Sequence, residues 1–308
     1  MKDGFIKVAA ATPEIMVADC DYNSNHIITL AKTLAKKRVR LSVFPELCIT
    51  GYTCQDLFFQ TALLDGAKSA LNDIAKKLAK LDMITVVGLP VAHNGNLYNC
   101  AAVLYHGEVL GYVPKQYLPN YNEFYEMRHF TAWNGENSFE IHDNMPFGTD
   151  FIFRCHECED FSFGIELCED LWAPCPPSGN LALNGANIIL NLSASNEMIG
   201  KSEYRRSLVQ NQSARLIAGY VYCSAGMSES TTSSVCGAHN IIAEGGYILT
   251  ESLPLGAGKA VADLDVESLL HSRRRVAHTR DYVEGYHTVY FDLEPVHYDR
   301  LSRPIAKR

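Results

Sequence analysis

Phe5-Ile6-Lys7-Val8-Ala9-Ala10-Ala11 and Leu41-Ser42-Val43-Phe44 are short apolar runs on either side of a helical stretch at residues 24–37. Strand, helix, strand in that order implies an α/β protein whose strands are buried on one or both faces. The alternation continues along the chain. Further strand-like runs fall at residues 83–91, 97–105, 150–154, 162–167, 187–192, 220–224, 239–243 and 259–263, so about ten strands are expected. Two more helices are expected at 60–81 and 201–218. The first of these carries Leu64, Ala67, Leu71, Ile74, Ala75 and Leu78 at helical spacing, which predicts one buried face.

The 308 residues, 47% hydrophobic and 20% charged, can bury a large core as one big domain or two ordinary ones. No Gly/Ser/Pro-rich linker interrupts residues 1–265 and no repeat is visible, so one domain is expected over 1–268. Beyond it the composition changes, from Arg273, Arg274 and Arg275 through aromatic and polar residues to Arg303, Pro304 and Lys307, and 269–308 reads as an arm or linker. A formal charge of -8 argues against a nucleic-acid backbone as main partner, because that partner calls for a basic patch. No window approaches the roughly 18 apolar residues of a membrane span, and MKDGFIKVAAATPE lacks the apolar centre of a signal peptide. A cytoplasmic protein is therefore expected. Ten cysteines scattered over strand-like segments fit reduced, mostly buried thiols.

Three segments combine a strand end with a reactive side chain, the place where α/β folds present functional residues. In Phe44-Pro45-Glu46-Leu47 a carboxylate leaves the sheet just after a proline, although an isolated glutamate there is more often a cap or a solvated acid. In Gly111-Tyr112-Val113-Pro114-Lys115 a lysine precedes a loop in which Tyr117, Tyr121, Phe124 and Tyr125 could wall a small pocket or simply pack as core. In Phe163-Gly164-Ile165-Glu166-Leu167-Cys168-Glu169-Asp170 a strand delivers a cysteine among acids. Those acids would raise the thiol pKa, so a cation is needed, and a Cys168–Lys115 ion pair would account for both residues.

Other chemistries fit less well. Cys155-His156-Glu157-Cys158 has metal-like spacing, but Cys168 and Cys175 stand too far apart to form the second knuckle of a structural zinc site. Gly256-Ala257-Gly258-Lys259 lacks the first glycine and the Ser/Thr of a phosphate loop, and no GxSxG elbow occurs.

FPELCITGYTCQDLF (44–58), PKQYLPNYNEFYEMRHF (114–130), GIELCEDLW (164–172) and NLSASNEMIGKSEYRR (191–206) resemble, in order, four signature blocks of the glutaminase domain of glutamine-dependent NAD+ synthetases, a branch of the nitrilase or carbon–nitrogen hydrolase superfamily. The resemblance covers nearly residues 5–268. It implies a four-layer α-β-β-α sandwich that forms homo-oligomers. It places the general base on Glu46, the catalytic lysine on Lys115, the nucleophile on Cys168 and a supporting carboxylate on Glu126. Glutamine-binding positions fall on Tyr121, Ser195 and Lys201, the last an arginine in many relatives, so that a two-point grip on the substrate carboxylate becomes a single contact.

The implied reaction is hydrolysis of the glutamine side-chain amide through a thioester, with no metal or organic cofactor. The family's second domain, which uses ATP and Mg2+ to amidate deamido-NAD through an SGGxDS loop, has no counterpart in this sequence. Residues 270–308 resemble the family's connector, which favours a fragment over a stand-alone chain. Two alternatives are an amidase, nitrilase or carbamoylase acting on another small C–N substrate, and a non-catalytic scaffold on the same fold.

Overall fold

The computed structural model describes residues 4–134, 140–229, 233–256, 258–276, 284–294, 298 and 301. The chain begins β1 (Phe5–Ala11), α1 (Cys20–Lys36), β2 (Leu41–Val43), α2 (Thr61–Leu78), β3 (Ile84–His93), β4 (Asn96–Tyr105) and β5 (Glu108–Pro114). It continues through α3 (Glu126–His129), β6 (Glu140–His142), β7 (Met145–Phe147), β8 (Phe151–Cys155), β9 (Ser162–Leu167) and α4 (Ser178–Leu183). The last elements are β10 (Ile188–Ser193), α5 (Lys201–Leu216), β11 (Gly219–Ser224), β12 (Ile241–Glu244), β13 (Tyr247–Glu251), β14 (Lys259–Asp265), α6 (Val266–Arg274) and β15 (His287–Phe291).

Two mixed sheets result, one in the order β14-β1-β2-β3-β4-β5-β7-β6 and the other β13-β12-β11-β10-β9-β8-β15. The two-residue period of each strand divides its side chains between two apolar layers. In β1, Ile6, Val8 and Ala10 point between the sheets, while Ala9 and Ala11 face outward with Ile27, Ala31, Leu71 and Ile74 of α1 and α2. On the other sheet Ile188, Leu190 and Leu192 enter the same central layer, and Ile189, Tyr220 and Tyr222 meet Leu181 of α4 and Val209 of α5. Three apolar layers separate four structural ones, which is the expected α-β-β-α sandwich. Local signals set the helix ends: the Asp19 carboxylate accepts the Tyr22 N–H at 2.9 Å to cap α1, and Asp265 accepts the Ser268 N–H at 2.9 Å to cap α6.

The expected strands and helices all occur, with ends shifted by a few residues; α1 starts at Cys20, ahead of residue 24. Several elements were not anticipated: β6, β7, β13, β15, α3, α4 and α6, and of β5 only its end before Lys115 was read. Gly111 and Pro114 disguise β5, and β13 and β15 are largely half-exposed, so neither shows a continuous apolar run. The boundary expected at residue 268 falls inside α6. Arg273, read from sequence as the start of an arm, is buried and donates to the carbonyls of Leu216, Ile217 and Ala186 and to the Asn187 side chain. Beyond it β15 pairs with β8 in parallel, and the Tyr298 hydroxyl accepts the Lys7 N–H at 3.1 Å. Arg303, Pro304 and Lys307 lie outside the described residues.

The turn that carries Glu46 lies directly on β3. A Cβ added at Gly88 would stand 2.3 Å from the Leu47 nitrogen and 2.6 Å from the Pro45 carbonyl oxygen, so only glycine permits this approach. Gly88→Ala should destabilise the protein by about 1–3 kcal/mol, as overpacking does when the obstacle is backbone. A denaturant midpoint equal to that of the wild type would show that the turn is free to move.

Candidate active site

Glu46, Lys115 and Cys168 each follow the last residue or residues of a strand: β2 and β5 of one sheet, β9 of the other. After β2 the Phe44 N–H still donates to the Val86 carbonyl at 2.9 Å, and Pro45 then stiffens the exit. Leu47 takes a left-handed φ of 50°, which turns the chain so that Glu46 points inward, fully buried. Lys115, 1% exposed, donates from Nζ to Glu46 Oε1 at 2.6 Å and to Glu126 Oε1 at 2.7 Å. Glu126 opens α3 and also accepts the Tyr52 hydroxyl at 2.7 Å. Asn99 of β4 donates to Glu46 Oε1 at 2.7 Å. Among the described residues Glu46 Oε2 is buried with no hydrogen-bond partner, an arrangement that is costly unless the oxygen has a task.

Cys168 follows β9 with φ at +41°, a left-handed conformation that a β-substituted residue adopts only under constraint, and it opens a single 3-10 turn, Cys168–Leu171. Burial pushes its thiol well above the ordinary range, the charge of Glu46 adds to this, and Lys115 offsets only part. These effects together favour the thiol over the thiolate. This corrects the expected Cys168–Lys115 ion pair: the ammonium is bonded to two carboxylates instead. Burial alone would lower Lys115, but Glu126 and Glu46 outweigh it and hold the ammonium well above its ordinary value.

The acids next to Cys168 in sequence are turned to other tasks. Glu166 accepts the Tyr220 hydroxyl and, at 2.9 Å, the Ser178 N–H; Glu169 accepts the Tyr121 hydroxyl at 3.0 Å; Asp170 is buried against backbone N–H groups. The carboxylates whose charge raises the thiol most are the distant Glu46 and Glu126.

Lys201 begins α5, as expected. Its Nζ donates to Asn196 Oδ1 and lies 5.5 Å from the Phe124 ring centre and 5.3 Å from that of Trp172, an aromatic cradle for a cation. Burial pulls Lys201 below its ordinary value. Asn196 in turn donates to Glu123, so a cation and an anion stand side by side. Tyr121 is half exposed above this cradle, whereas Ser195 is buried, and its Oγ accepts Arg205 Nη2 at 3.1 Å. Arg205, missed in the sequence, is fully buried and also binds Glu197 and the Asn196 carbonyl, which fixes the 195–197 turn. Asn99 was missed too, although a polar residue inside the apolar run of β4 is a readable signal. Arg205 offered no such signal, since it sits on a helix of mixed polarity. Phe124 and Tyr125 line a cavity of about 80 Å³ beside Glu126, together with Tyr52 and Phe58. Cys155 belongs to the central apolar layer and its thiol donates to Glu157.

Fold and site together define a nitrilase-like enzyme domain. Residues 7–273 match the family model for carbon–nitrogen hydrolases, and the chain belongs to that family. It is 39% identical over 303 residues to a glutamine-dependent NAD(+) synthetase of Mycobacterium tuberculosis, covering 95% of this chain and 45% of that protein. The Mycobacterium leprae counterpart is 37% identical over the same shares. The chain thus spans about half the length of the curated relatives it matches. Among solved structures, a glutamine-dependent NAD(+) synthetase from Cytophaga hutchinsonii superposes with a TM-score of 0.75 at 29% identity, over 84% of this chain and 43% of that one. A carbon–nitrogen hydrolase from Helicobacter pylori shares the fold at a TM-score of 0.71 and 18% identity, over 91% and 96% of the two chains.

Burial pushes the Glu126 carboxyl up to about 7; Lys115 pulls it down and Glu46 pushes it up again. Its folded value thus lies above the ordinary 4.5, and the stability it contributes is complete below pH 4.5 and lost as pH rises through about 7. Glu126→Gln removes this proton, so its unfolding free energy should fall less steeply between pH 4.5 and 7 than that of the wild type. Denaturant unfolding at several pH values measures both slopes, and equal slopes would contradict the assignment.

Proposed function

We propose that this domain hydrolyses the side-chain amide of glutamine, with Cys168 as nucleophile, Glu46 as proton carrier and Lys115 as the cation that holds the oxyanion. The observation that carries the reading is the buried Glu46–Lys115–Glu126 cluster, whose charges reach a thiol set in a strained turn. A thiol that stays protonated cannot wait as thiolate, so its proton must leave as the bond forms. Glu46 Oε2, buried and unbonded, suits that transfer. As Sγ bonds to the amide carbon, the proton passes to Glu46 and the carbonyl oxygen becomes an oxyanion. Lys115 has three N–H donors and spends two on carboxylates, which leaves one for that oxygen beside the backbone N–H after Cys168.

Glu46 then gives its proton to the departing nitrogen, the C–N bond breaks, and ammonia leaves a thioester. Water attacks the thioester carbon as Glu46 takes its proton and passes it to sulfur, so that glutamate and the free thiol result. No step calls for a metal or an organic cofactor. Lys201, in its aromatic cradle at the start of α5, binds the α-carboxylate, with the positive end of the helix assisting. Glu126 holds Lys115 in place; Tyr121 and Ser195 shape the amino-acid pocket. In this reading the ammonia serves a synthetase unit that amidates deamido-NAD with ATP and Mg2+, in a homo-oligomer in the cytoplasm. The likeness to glutamine-dependent NAD(+) synthetases over 95% of the chain supports it.

Cys168→Ala or Cys168→Ser should abolish ammonia release from glutamine while leaving the circular dichroism spectrum intact. An alanine variant that released ammonia at the wild-type rate would remove Cys168 from the chemistry, and wild-type turnover of other small amides but not glutamine would place the domain with the amidases. Lys201→Met should raise KM for glutamine strongly and leave alkylation of Cys168 by a small uncharged reagent nearly unchanged. Steady-state kinetics with an unaltered KM would return Lys201 to a packing role.

A further inference from the structure

The proposed chemistry needs a cysteine from one sheet and a lysine from the other, and nothing in the backbone ladders joins β9 to β5. Glu169 reaches across to the Tyr121 hydroxyl, but the residue that bonds to the backbone beside Lys115 is Asp170. It is 1% exposed. Its Oδ2 accepts the N–H of Leu167, the residue before Cys168, at 2.8 Å. Its Oδ1 accepts the N–H of Gln116 at 3.2 Å and of Tyr117 at 2.8 Å, the two residues after Lys115. One side chain thus holds the residue before Cys168 and the two residues after Lys115.

A carboxyl group buried without a cation bonded to it is unusual, and three backbone donors satisfy its oxygens here. Burial pushes Asp170 up to about 8, the N–H groups of Leu167 and Tyr117 pull it down, Glu166 raises it and Lys115 lowers it. The bond to Leu167 closes the 3-10 turn and so helps to hold Cys168 at its left-handed φ. The bonds to Gln116 and Tyr117 stop the strand end of β5 from sliding along the other sheet.

We propose that Asp170 is a positioning residue that ties the Cys168 turn to the Lys115 strand end and so sets the separation of thiol and ammonium. This rests on the reading of Cys168 as nucleophile and Lys115 as its oxyanion partner. Asparagine at this position keeps the shape but offers a nitrogen that cannot accept, so one of the three N–H groups loses its acceptor.

The test uses the whole chain as Asp170→Asn and Asp170→Ser. The variants should lose about 100-fold in kcat for glutamine, the scale of a small misplacement of reacting groups, with little change in KM. The pH profile of Cys168 alkylation by iodoacetamide should also shift, because beside burial the ionisation of the thiol depends on its distances from Glu46 and Lys115. Wild-type kcat and alkylation profile with only a lowered unfolding midpoint would overturn the proposal. If neither variant folds, the wild type answers by NMR: the amide protons of Leu167, Gln116 and Tyr117 should shift with pH in one shared titration, and separate midpoints or shifts indifferent to pH would overturn the tie. Should the wild type release no ammonia from glutamine, the functional reading falls, whereas the alkylation profile and the shared titration still decide the role of Asp170.

Discussion

One buried ammonium between two buried carboxylates is the constraint around which the site is built. Lys115, Glu46 and Glu126 are each less than a twentieth exposed, and any of them alone would be too costly to bury. Together they bring one positive and two negative charges out of water, and burial, with the Glu46 charge adding to it, pushes the Glu126 carboxyl up to about 7. Asn99 and Tyr52 supply hydrogen bonds to the carboxylate oxygens, so the cluster has little freedom to rearrange.

The cluster demands a rigid frame, and the sandwich provides it. Each of its members leaves from a different segment: Glu46 after β2, Lys115 after β5 and Glu126 at the start of α3. Their separations therefore depend on how β2 to β5 stack within one sheet. Cys168 comes from the other sheet, so its place depends on the central apolar layer between the two. Phe153, Phe163, Ile165 and Leu190 fill that layer from one side and Val8, Val43, Val86 and Val103 from the other. Close packing at such an interface resists sliding, because any shift opens voids or forces overlap. Polar groups at the edge then hold the loops: Glu229, on the segment after β11, accepts the N–H groups of Tyr52 and Thr53 on the segment after β2.

Burial also explains why the thiol is kept as a thiol. In a site this dry, with two carboxylates near and the ammonium already engaged, a permanent thiolate would be the most expensive state available. In the proposed reaction the thiol ionises only as it reacts, which avoids that cost and gives the unbonded oxygen of Glu46 a role.

Much of this was legible in the amino-acid sequence. Alternating strand and helix patterns located ten strands and the three long helices, because buried strands and amphipathic helices must show their periods. The segments around Glu46, Lys115 and Cys168 stood out because each sets a reactive side chain at the end of a strand-like run, whereas Ser195 came only from the resemblance to a known family. Elements with half-exposed faces, such as β13 and β15, were hidden, since partial burial leaves no continuous signal. What the sequence could not decide was which charges meet. It suggested that Lys115 pairs with Cys168 and that Glu166, Glu169 and Asp170 act on the thiol, because neighbours along the chain are all that a sequence displays. Only the tertiary structure put Lys115 between Glu46 and Glu126, turned the three local acids to hydrogen bonds with hydroxyls and backbone N–H groups, and buried Arg205 under the Ser195 turn. Electrostatic partners are set by distance through space, and the packing of one sheet on the other sets that distance.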